Sequence, residues 1–269
     1  PFALAGVRPL LVESGGMRLA GLGHPAFLAS VCLPAIYACL IALFREGRRG
    51  DLALLLLNGA ILLLTGARAP LAYAAAVCLV GLVTVRSAAF PMRDRLLLIL
   101  VFAAALPVAA VLARDLEDVR VFNLFAHHAT DLSGRDLLWP AFEAASRASP
   151  WLGWGVGAGN VIIPSNGQVA QALHTWAAHN EYLRIGVEGG AVGRLLLIVL
   201  FAAWVLVHTH GLRAADRRIM RLVFLAMAAH AVTDNLLIST PACVMFAFAA
   251  AVFAQRRDQG WLDRGMGAD

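Results

Sequence analysis

Long apolar runs alternate with short polar segments along most of the chain. The first uncharged run covers residues 26–44, which approaches the roughly 20 residues that a helix needs to cross a bilayer. The later runs are 52–67, 69–85, 96–113, 195–207, 222–238 and 241–254. Runs of this length are typical of membrane spans, so the pattern predicts an all-α protein, a polytopic transmembrane bundle of about seven helices.

One long polar stretch, residues 114–180, interrupts this pattern. It contains charged residues, a Gly-rich segment and four of the six tryptophans of the chain. We therefore predict three parts: residues 1–113 with about four helices, 114–180 as an extramembrane loop containing short helices, and 181–269 with about three helices and a cytoplasmic tail. Because the chain starts at Pro1 without an initiator methionine or a signal-peptide pattern, we expect further helices upstream of it.

The composition supports a membrane protein. Of the 269 residues, 60% are hydrophobic and only 14% are charged, and the mean hydropathy is +0.74. The net charge of +5 comes from 22 basic residues, all of them arginine. Since these arginines cluster between apolar runs, membrane topology accounts for the positive charge and no nucleic-acid partner is expected.

The arginines also predict the orientation of the chain. Under the prediction of seven helices, four groups of arginines fall on one side, at 45–49, 86–95, 213–221 and directly after the last run. The short turns on the other side contain only Arg68. Because arginine in short loops marks the cytoplasmic side, residues 114–180 are predicted to lie outside the cytoplasm.

The segment 179–193, His-Asn-Glu-Tyr-Leu-Arg-Ile-Gly-Val-Glu-Gly-Gly-Ala-Val-Gly, carries the main candidate chemistry. If it forms one helix, a histidine and small residues share one face: His179, Leu183, Gly186, Gly190 and Gly193. The other face then carries Glu181, Arg184 and Glu188. The glycines predict close packing of a neighbouring backbone. His179 is a candidate general base, because histidine exchanges a proton near neutral pH; the alternative is a polar interfacial residue.

Three arginines are candidate anion ligands. Arg68 and Arg18 are predicted at the outer face, where a guanidinium can bind phosphate oxygens bidentately. Their alternative role is that of interface anchors whose charged ends reach the aqueous phase. Arg135, in the polar loop, is a candidate glycan or phosphate contact, or else a structural partner of Asp136.

The sequence indicates neither a metal site nor a nucleotide site. The four cysteines lie in apolar runs, and His174 and His179 are five residues apart, which does not place two ligands on one helical face. The Gly-rich stretch 150–159 follows no predicted strand, which argues against a nucleotide loop. Its Trp151 and Trp154 are interpreted as headgroup anchors, with sugar stacking as the alternative. We expect no metal and no cofactor.

His179-Asn180, followed after nine residues by Gly190-x-x-Gly193, resembles the signature of the O-antigen ligase and polymerase family. Asn180, Glu188 and the two glycines are accordingly expected to be structural residues of this motif. Shorter segments are also similar to elements of the family: Arg18-x-x-Gly21, Thr65-Gly-Ala-Arg68, Ser133-Gly-Arg135 and the Trp-rich stretch at 150–157.

The resemblance implies a multi-pass glycosyltransferase of the bacterial inner membrane with its active site on the periplasmic side. Its donor would be an undecaprenyl-pyrophosphate-linked glycan, and its acceptor a hydroxyl of lipid A-core or of a growing polysaccharide. In this hypothesis His179 is the general base, while Arg68 and Arg18 hold the pyrophosphate and neither metal nor nucleotide takes part. Direct attack would invert the anomeric carbon.

Other functions remain open at this point. A polysaccharide polymerase of the same family shares the motif with a ligase. A transporter of lipid-linked sugars would place ionisable residues along a midplane path and show repeated halves, neither of which the sequence indicates. A non-catalytic assembly subunit is the third possibility.

Overall fold

The computed structural model describes residues 11–13, 17–21, 24–112, 135–173, 175–238 and 240–265. The described part is mostly helical, as predicted. Its helices are α1 (Pro25–Glu46), α2 (Arg49–Leu64), α3 (Arg68–Thr84), α4 (Met92–Leu112), α5 (Arg135–Ala148), α6 (Gln168–Leu173), α7 (Glu181–Ala203), α8 (Ala214–His230) and α9 (Thr240–Gly265). A 3-10 turn covers Ala158–Asn160, and a π-helical turn, Trp204–His208, follows α7.

Two helical segments of the described residues are long and apolar enough to cross a membrane, namely α1 and the continuous stretch Glu181–His208. Shorter apolar helical segments are α3 and Ala242–Gln255. The starts of α1, α3 and the segment Ala242–Gln255 lie within one residue of the apolar runs 26–44, 69–85 and 241–254, whereas Glu181–His208 starts well before the run 195–207. The number of membrane-crossing helices and the large periplasmic loop remain predictions.

The chain divides into two compact units. Unit 1 comprises Pro1–Ala129, Thr209–Val223 and Thr240–Asp269, and unit 2 comprises Thr130–His208 and Phe224–Ser239. In unit 1, α1 packs against α2, α3 and α9, and the side chains of Tyr37, Leu40, Leu43, Phe44 and Leu62 are buried there. Pro25 starts α1 because its fixed φ suits the first helical position, and the His24 ring nitrogen accepts the amide of Ala26.

The core of unit 2 is formed under the amphipathic helix α5. Leu138 and Phe142 lie on one face of α5 and are fully buried. They pack with Ala170 of α6, with Ala178 of the segment before α7 and with Val187 of α7. The indole of Trp139 donates to the carbonyl of Ala178 at 2.8 Å, so α5 is fastened to the chain immediately before His179.

Two local predictions are wrong. Part of the N-terminal segment expected to be a loop forms a short antiparallel hairpin of β1 (Leu11–Glu13) and β2 (Met17–Leu19). The helix expected at 222–238 is α8, which starts and ends eight residues earlier. It starts earlier because an apolar stripe continues below its arginines: Ile219, Met220 and Val223 are all 0% exposed. It ends at His230, whose carbonyl accepts the amides of Thr233 and Asp234 in a turn.

Candidate functional site

His179 lies in a tight backbone turn that aims its ring at a carboxylate. Its φ is 46°, a left-handed value that is uncommon outside glycine, and α7 begins only at Glu181. Nδ1 lies 3.1 Å from Oδ1 of Asp234, and Nε2 lies 3.0 Å from Oγ1 of Thr175. The side chain is 35% exposed. His179 thus precedes the helix and does not share its face; the ring is held on both sides and remains accessible.

Asp234 is the partner that orients the imidazole. It belongs to the turn after α8, where Oδ1 also accepts the amide of Asn235 at 2.8 Å. Burial raises the pKa of Asp234, but the hydrogen bond with His179 and the positive charge of protonated His179 outweigh it, so the pKa falls below its usual value. An ionised Asp234 favours the imidazole tautomer with hydrogen on Nδ1, which leaves the Nε2 lone pair to accept a proton.

Arg135 reaches the same cluster from α5, where it is the first described residue. Burial lowers the pKa of its guanidinium, and the Asp234 carboxylate raises it again in part. This electrostatic coupling is with the carboxylate that holds His179. Since arginine stays protonated in proteins, Arg135 adds a permanent positive charge to the surroundings of Asp234.

Asn180 fixes the start of α7 as its N-cap. Its side-chain oxygen accepts the amide of Leu183 at 3.1 Å, and its own amide donates to Oδ1 of Asn235 at 3.2 Å. The amide of Glu181 donates to the carbonyl of Ala231 at 2.7 Å. The segment that carries His179 and the turn that carries Asp234 are thus joined backbone to backbone, which sets the distance between the two side chains. The partners of Asp234 and Asn235 across this junction are thus His179 and Asn180.

A buried ion network supports this junction. Arg184 donates to Glu181 and to Glu188, both at 2.6 Å, and all three side chains are at most 9% exposed. The second oxygen of Glu181 accepts the amide of Leu237 at 2.6 Å. Removing one member would leave a buried charge without its partner, which is more costly than the pair itself is stabilising. Glu188, a motif residue, therefore has a structural place in the first half of α7.

Gly190 breaks α7 and is not part of a regular helix, contrary to the prediction of one helix over 179–193. Its backbone has φ 59° and ψ −151°, a combination that is almost confined to glycine. The break frees backbone groups that bind the loop 150–155. Amide-to-carbonyl hydrogen bonds join Ala191 to Pro150 (2.7 Å), Val192 to Trp151 (3.2 Å), Trp154 to Val187 (2.8 Å) and Gly155 to Glu188 (3.0 Å).

The predicted close packing at the glycines therefore exists, but its partners differ from those expected. At Gly190 the neighbour is the backbone of Trp151 and Leu152 in the loop. At Gly186 the space that a Cβ would need is filled by the guanidinium of Arg194 from the same helix. Arg194 donates to the carbonyl of Tyr182 at 3.1 Å and to the hydroxyl of Ser146 at 2.6 Å. It thereby connects both halves of α7 to α5.

The loop at 150–155 presents large apolar side chains outward. Trp151 is 72% exposed, Leu152 74% and Trp154 58%, although the Trp154 indole donates to the carbonyl of Ala145 at 2.8 Å. Such exposure fits both interpretations of the tryptophans, as anchors at the headgroup level and as sugar-stacking surfaces.

Arg18 and Arg68 belong to unit 1. Arg18, on β2, is 8% exposed, and its Nε donates to the carbonyl of Thr65 at 2.6 Å. Burial, and secondly the charge of Arg18, lowers the pKa of His24. Arg68 is the first residue of α3, and among the described residues its buried Nε has no hydrogen-bond partner. The structure thus connects Arg18 to the turn that leads directly into Arg68.

Side chains that could ligate a metal are dispersed over the described residues. No group of three or more His, Cys, Asp and Glu side chains there is placed to hold a metal ion. The four cysteines are free thiols, and Cys32 is buried. Absence of a metal from the reaction remains a prediction.

We predict that Asp234→Asn weakens activity without changing the fold. Because the pKa of Asp234 is lowered, the wild-type carboxylate is ionised across pH 5–8, and the amide removes its charge throughout that range. The imidazolium form of His179 then loses a stabilising charge, so the acid limb of the pH–activity profile should move to lower pH. At pH 7 the rate should fall by about 10- to 100-fold, part of the 10²–10⁴ that a general base contributes. Asp94→Asn, which alters a partly exposed carboxylate paired with Arg93, is the control. An unchanged pH profile would show that Asp234 does not act on His179.

Fold and site together define a helical membrane protein with a histidine–aspartate pair at the start of a broken apolar helix. The chain belongs to the O-antigen ligase family: the model of that family, described as O-Antigen ligase, matches residues 53–198. The match includes His179, Asn180, Gly190 and Gly193 as well as Arg68 and Arg135. No curated protein matches the chain significantly. Membership supports a membrane function of ligase or polymerase type that uses lipid-linked glycans and polysaccharides.

Proposed function

We propose that the protein is a membrane glycosyltransferase that moves an O-antigen-type glycan from undecaprenyl pyrophosphate to an acceptor hydroxyl, such as one of lipid A-core. The observation that carries the proposal is the pairing of His179 with Asp234 in a chain of the O-antigen ligase family. The arginine distribution favours the periplasmic face of the inner membrane as the place of reaction.

The geometry at His179 supports its role as a general base. With Nδ1–H donated to Asp234, the Nε2 lone pair accepts from the hydroxyl of Thr175 at 3.0 Å. An acceptor hydroxyl that takes the place of the Thr175 hydroxyl would present its proton to Nε2. In the proposed step Nε2 removes the hydroxyl proton while the oxygen attacks the anomeric carbon. The bond from that carbon to the pyrophosphate oxygen breaks, its electron pair leaves with undecaprenyl pyrophosphate, and the anomeric configuration inverts.

The arginines are proposed to neutralise the charge of the leaving group. Within the part of the chain that the structure describes, the buried Nε of Arg68 at the start of α3 has no hydrogen-bond partner, and a guanidinium in this state gains hydrogen bonds when a phosphate binds. Arg18 fixes the preceding turn and adds charge near it. Arg135 is proposed as a glycan or phosphate contact beside Asp234. Fixed guanidinium groups stabilise developing negative charge without a metal or nucleotide.

The direct test measures release of undecaprenyl pyrophosphate from a glycan-loaded carrier by the purified full-length protein, with chelator and without nucleotide. Release should depend on the acceptor, and Arg68→Ala should slow it by about 100-fold or more, as loss of one charge-stabilising donor does in other enzymes. Arg93→Ala is the matched control, since Arg93 is 84% exposed. Arg68 has no part in transfer if its variant keeps the wild-type rate.

Product analysis in the same assay separates the alternatives. A ligase empties the carrier onto lipid A-core, whereas a polymerase lengthens the carrier-linked chain. If the carrier stays loaded but crosses the bilayer of proteoliposomes, the protein is a transporter and the proposal is wrong.

A further inference from the structure

A basic cavity of about 1150 Å³ opens in unit 1, between the end of α3, the start of α4 and the first turns of α8. Among the residues that line it, five are arginines and none is acidic: Arg86, Arg95, Arg217, Arg218 and Arg221. Arg68 starts α3 and Thr84 ends it, so the rise of a helix separates the cavity from Arg68 by about 25 Å. The cavity therefore does not include Arg68, the arginine of unit 1 that is proposed to hold the pyrophosphate.

Backbone carbonyls, which carry no net charge, hold three of these arginines in place. Arg95 is 2% exposed and donates to the carbonyls of Phe90 (2.6 Å), Ser87 (3.2 Å) and Val85. On α8, Arg217 donates to the carbonyl of His210 at 3.0 Å, and Arg218 donates to that of Thr84. The side chains of Arg217 and Arg218 are thus held in position at the wall of the cavity.

The nearest acidic residue of α8 is already engaged elsewhere. Asp216 is 1% exposed and accepts both Nε and Nη2 of Arg45, at distances of 2.8–3.1 Å. Arg86 is exposed and has no hydrogen-bond or ion-pair partner within the described residues. The described lining of the cavity therefore carries net positive charge, and its exposed Arg86 can bind an anionic ligand.

Apolar side chains at the same cavity indicate what kind of anion fits. Val83 and Met92 line it and are 54% and 47% exposed, and Leu222 lines it from α8. A free phosphate would leave this apolar surface in water, whereas a phospholipid covers it with acyl chain. The arginine distribution predicts that this end of the helices faces the cytoplasm, where anionic headgroups attract basic residues at the membrane surface.

We propose that this cavity binds the phosphate groups of an anionic phospholipid, with Arg86 and Arg217 contacting the headgroup and Val83 and Met92 its acyl chains. The proposal does not depend on the proposed glycan transfer. A guanidinium matches two phosphate oxygens at once, and the cavity volume is sufficient for a headgroup that contains two phosphates.

The test is native mass spectrometry of the detergent-purified full-length protein titrated separately with cardiolipin, phosphatidylcholine and inorganic pyrophosphate. Cardiolipin should bind to the wild type more tightly than phosphatidylcholine. The double variant Arg86→Gln, Arg217→Gln should bind cardiolipin about 10- to 30-fold more weakly, since each basic residue contributes about 1 kcal/mol near an anionic surface. Arg93→Gln, an exposed arginine outside the cavity, should bind as the wild type does.

Each contrary result overturns the proposal. Equal binding of cardiolipin and phosphatidylcholine excludes headgroup recognition, and equal loss in Arg93→Gln reduces the effect to general surface charge. If pyrophosphate displaces cardiolipin at equal concentration, the ligand is a soluble phosphate and not a lipid. The unfolding of every variant is also measured without lipid. If the double variant is destabilised, the cardiolipin affinity of the single variant Arg86→Gln is the deciding measurement, because this exposed side chain has no partner among the described residues to lose.

Discussion

Replacing His179 by alanine should reduce glycan transfer by about 10²–10⁴-fold, the contribution of a positioned general base. The imidazole accepts the hydroxyl proton at Nε2, and the methyl group of alanine cannot do so. Binding of the loaded carrier should persist, because the arginines proposed to hold the pyrophosphate are unchanged. The measurement is acceptor-dependent release of undecaprenyl pyrophosphate, with carrier binding determined separately.

A second substitution separates chemistry from structure at this position. Asparagine tolerates the left-handed backbone of His179, where φ is 46°, and its amide can still donate to Asp234. His179→Asn should therefore keep the stability of the wild type and lose transfer as alanine does. His210→Ala, which alters an exposed histidine whose backbone carbonyl remains available to Arg217, is the control. Full transfer by a well-folded His179→Asn would refute the general-base role.

Gly190→Ala should destabilise the protein strongly. The backbone conformation at Gly190 costs an alanine about 1–3 kcal/mol, and overlap in packed surroundings costs a similar amount. The added methyl would overlap the carbonyl of Trp151 and lie 2.7 Å from the amide nitrogen of Leu152. We expect a loss of roughly 2–6 kcal/mol, seen as a lower unfolding midpoint in detergent, together with detachment of the loop 150–155.

The neighbouring glycine provides the matched control. A Cβ at Gly189 has no atom within 4 Å, and the residue lies inside α7. Gly189→Ala should leave stability unchanged or raise it by up to about 1 kcal/mol, through better helix propensity. Equal stability of the two alanine variants would contradict the break that the structure shows at Gly190.

The sequence was sufficient to predict a helical protein, because long apolar runs are typical of helices in a hydrophobic environment. The run 26–44 and α1 differ by at most two residues at either end. The boundaries of α8 were predicted wrongly since we assumed that arginines end a membrane helix. In the structure Arg217 and Arg218 lie on the polar face of a helix whose other face stays apolar.

The candidate site was predictable where the chemistry is local in sequence. The motif from His179 to Gly193 identified the histidine, its capping asparagine and the glycine at which α7 breaks. Asp234, 55 residues away, was noticed as a polar residue, but its partner depends on the tertiary fold. Thr175 and Arg194 were missed; a charge inside an apolar stretch was the only signal for Arg194. The roles of His179, Arg68, Arg18 and Arg135 stay predictions until the variants are measured.

The break at Gly190 divides α7 into two halves that have different contacts. The first half, with the Glu181–Arg184–Glu188 network, is tied to the turn that carries Asp234, while the second half continues as the apolar stretch that reaches His208. A helix that crosses a bilayer tilts when the bilayer becomes thinner or thicker. Because Arg194 joins the second half to the carbonyl of Tyr182 in the first half and to Ser146 of α5, the two halves are expected to tilt together. The hydrogen bonds between the first half and the turn that carries Asp234 would then keep the distance between His179 and Asp234 constant in membranes of different thickness.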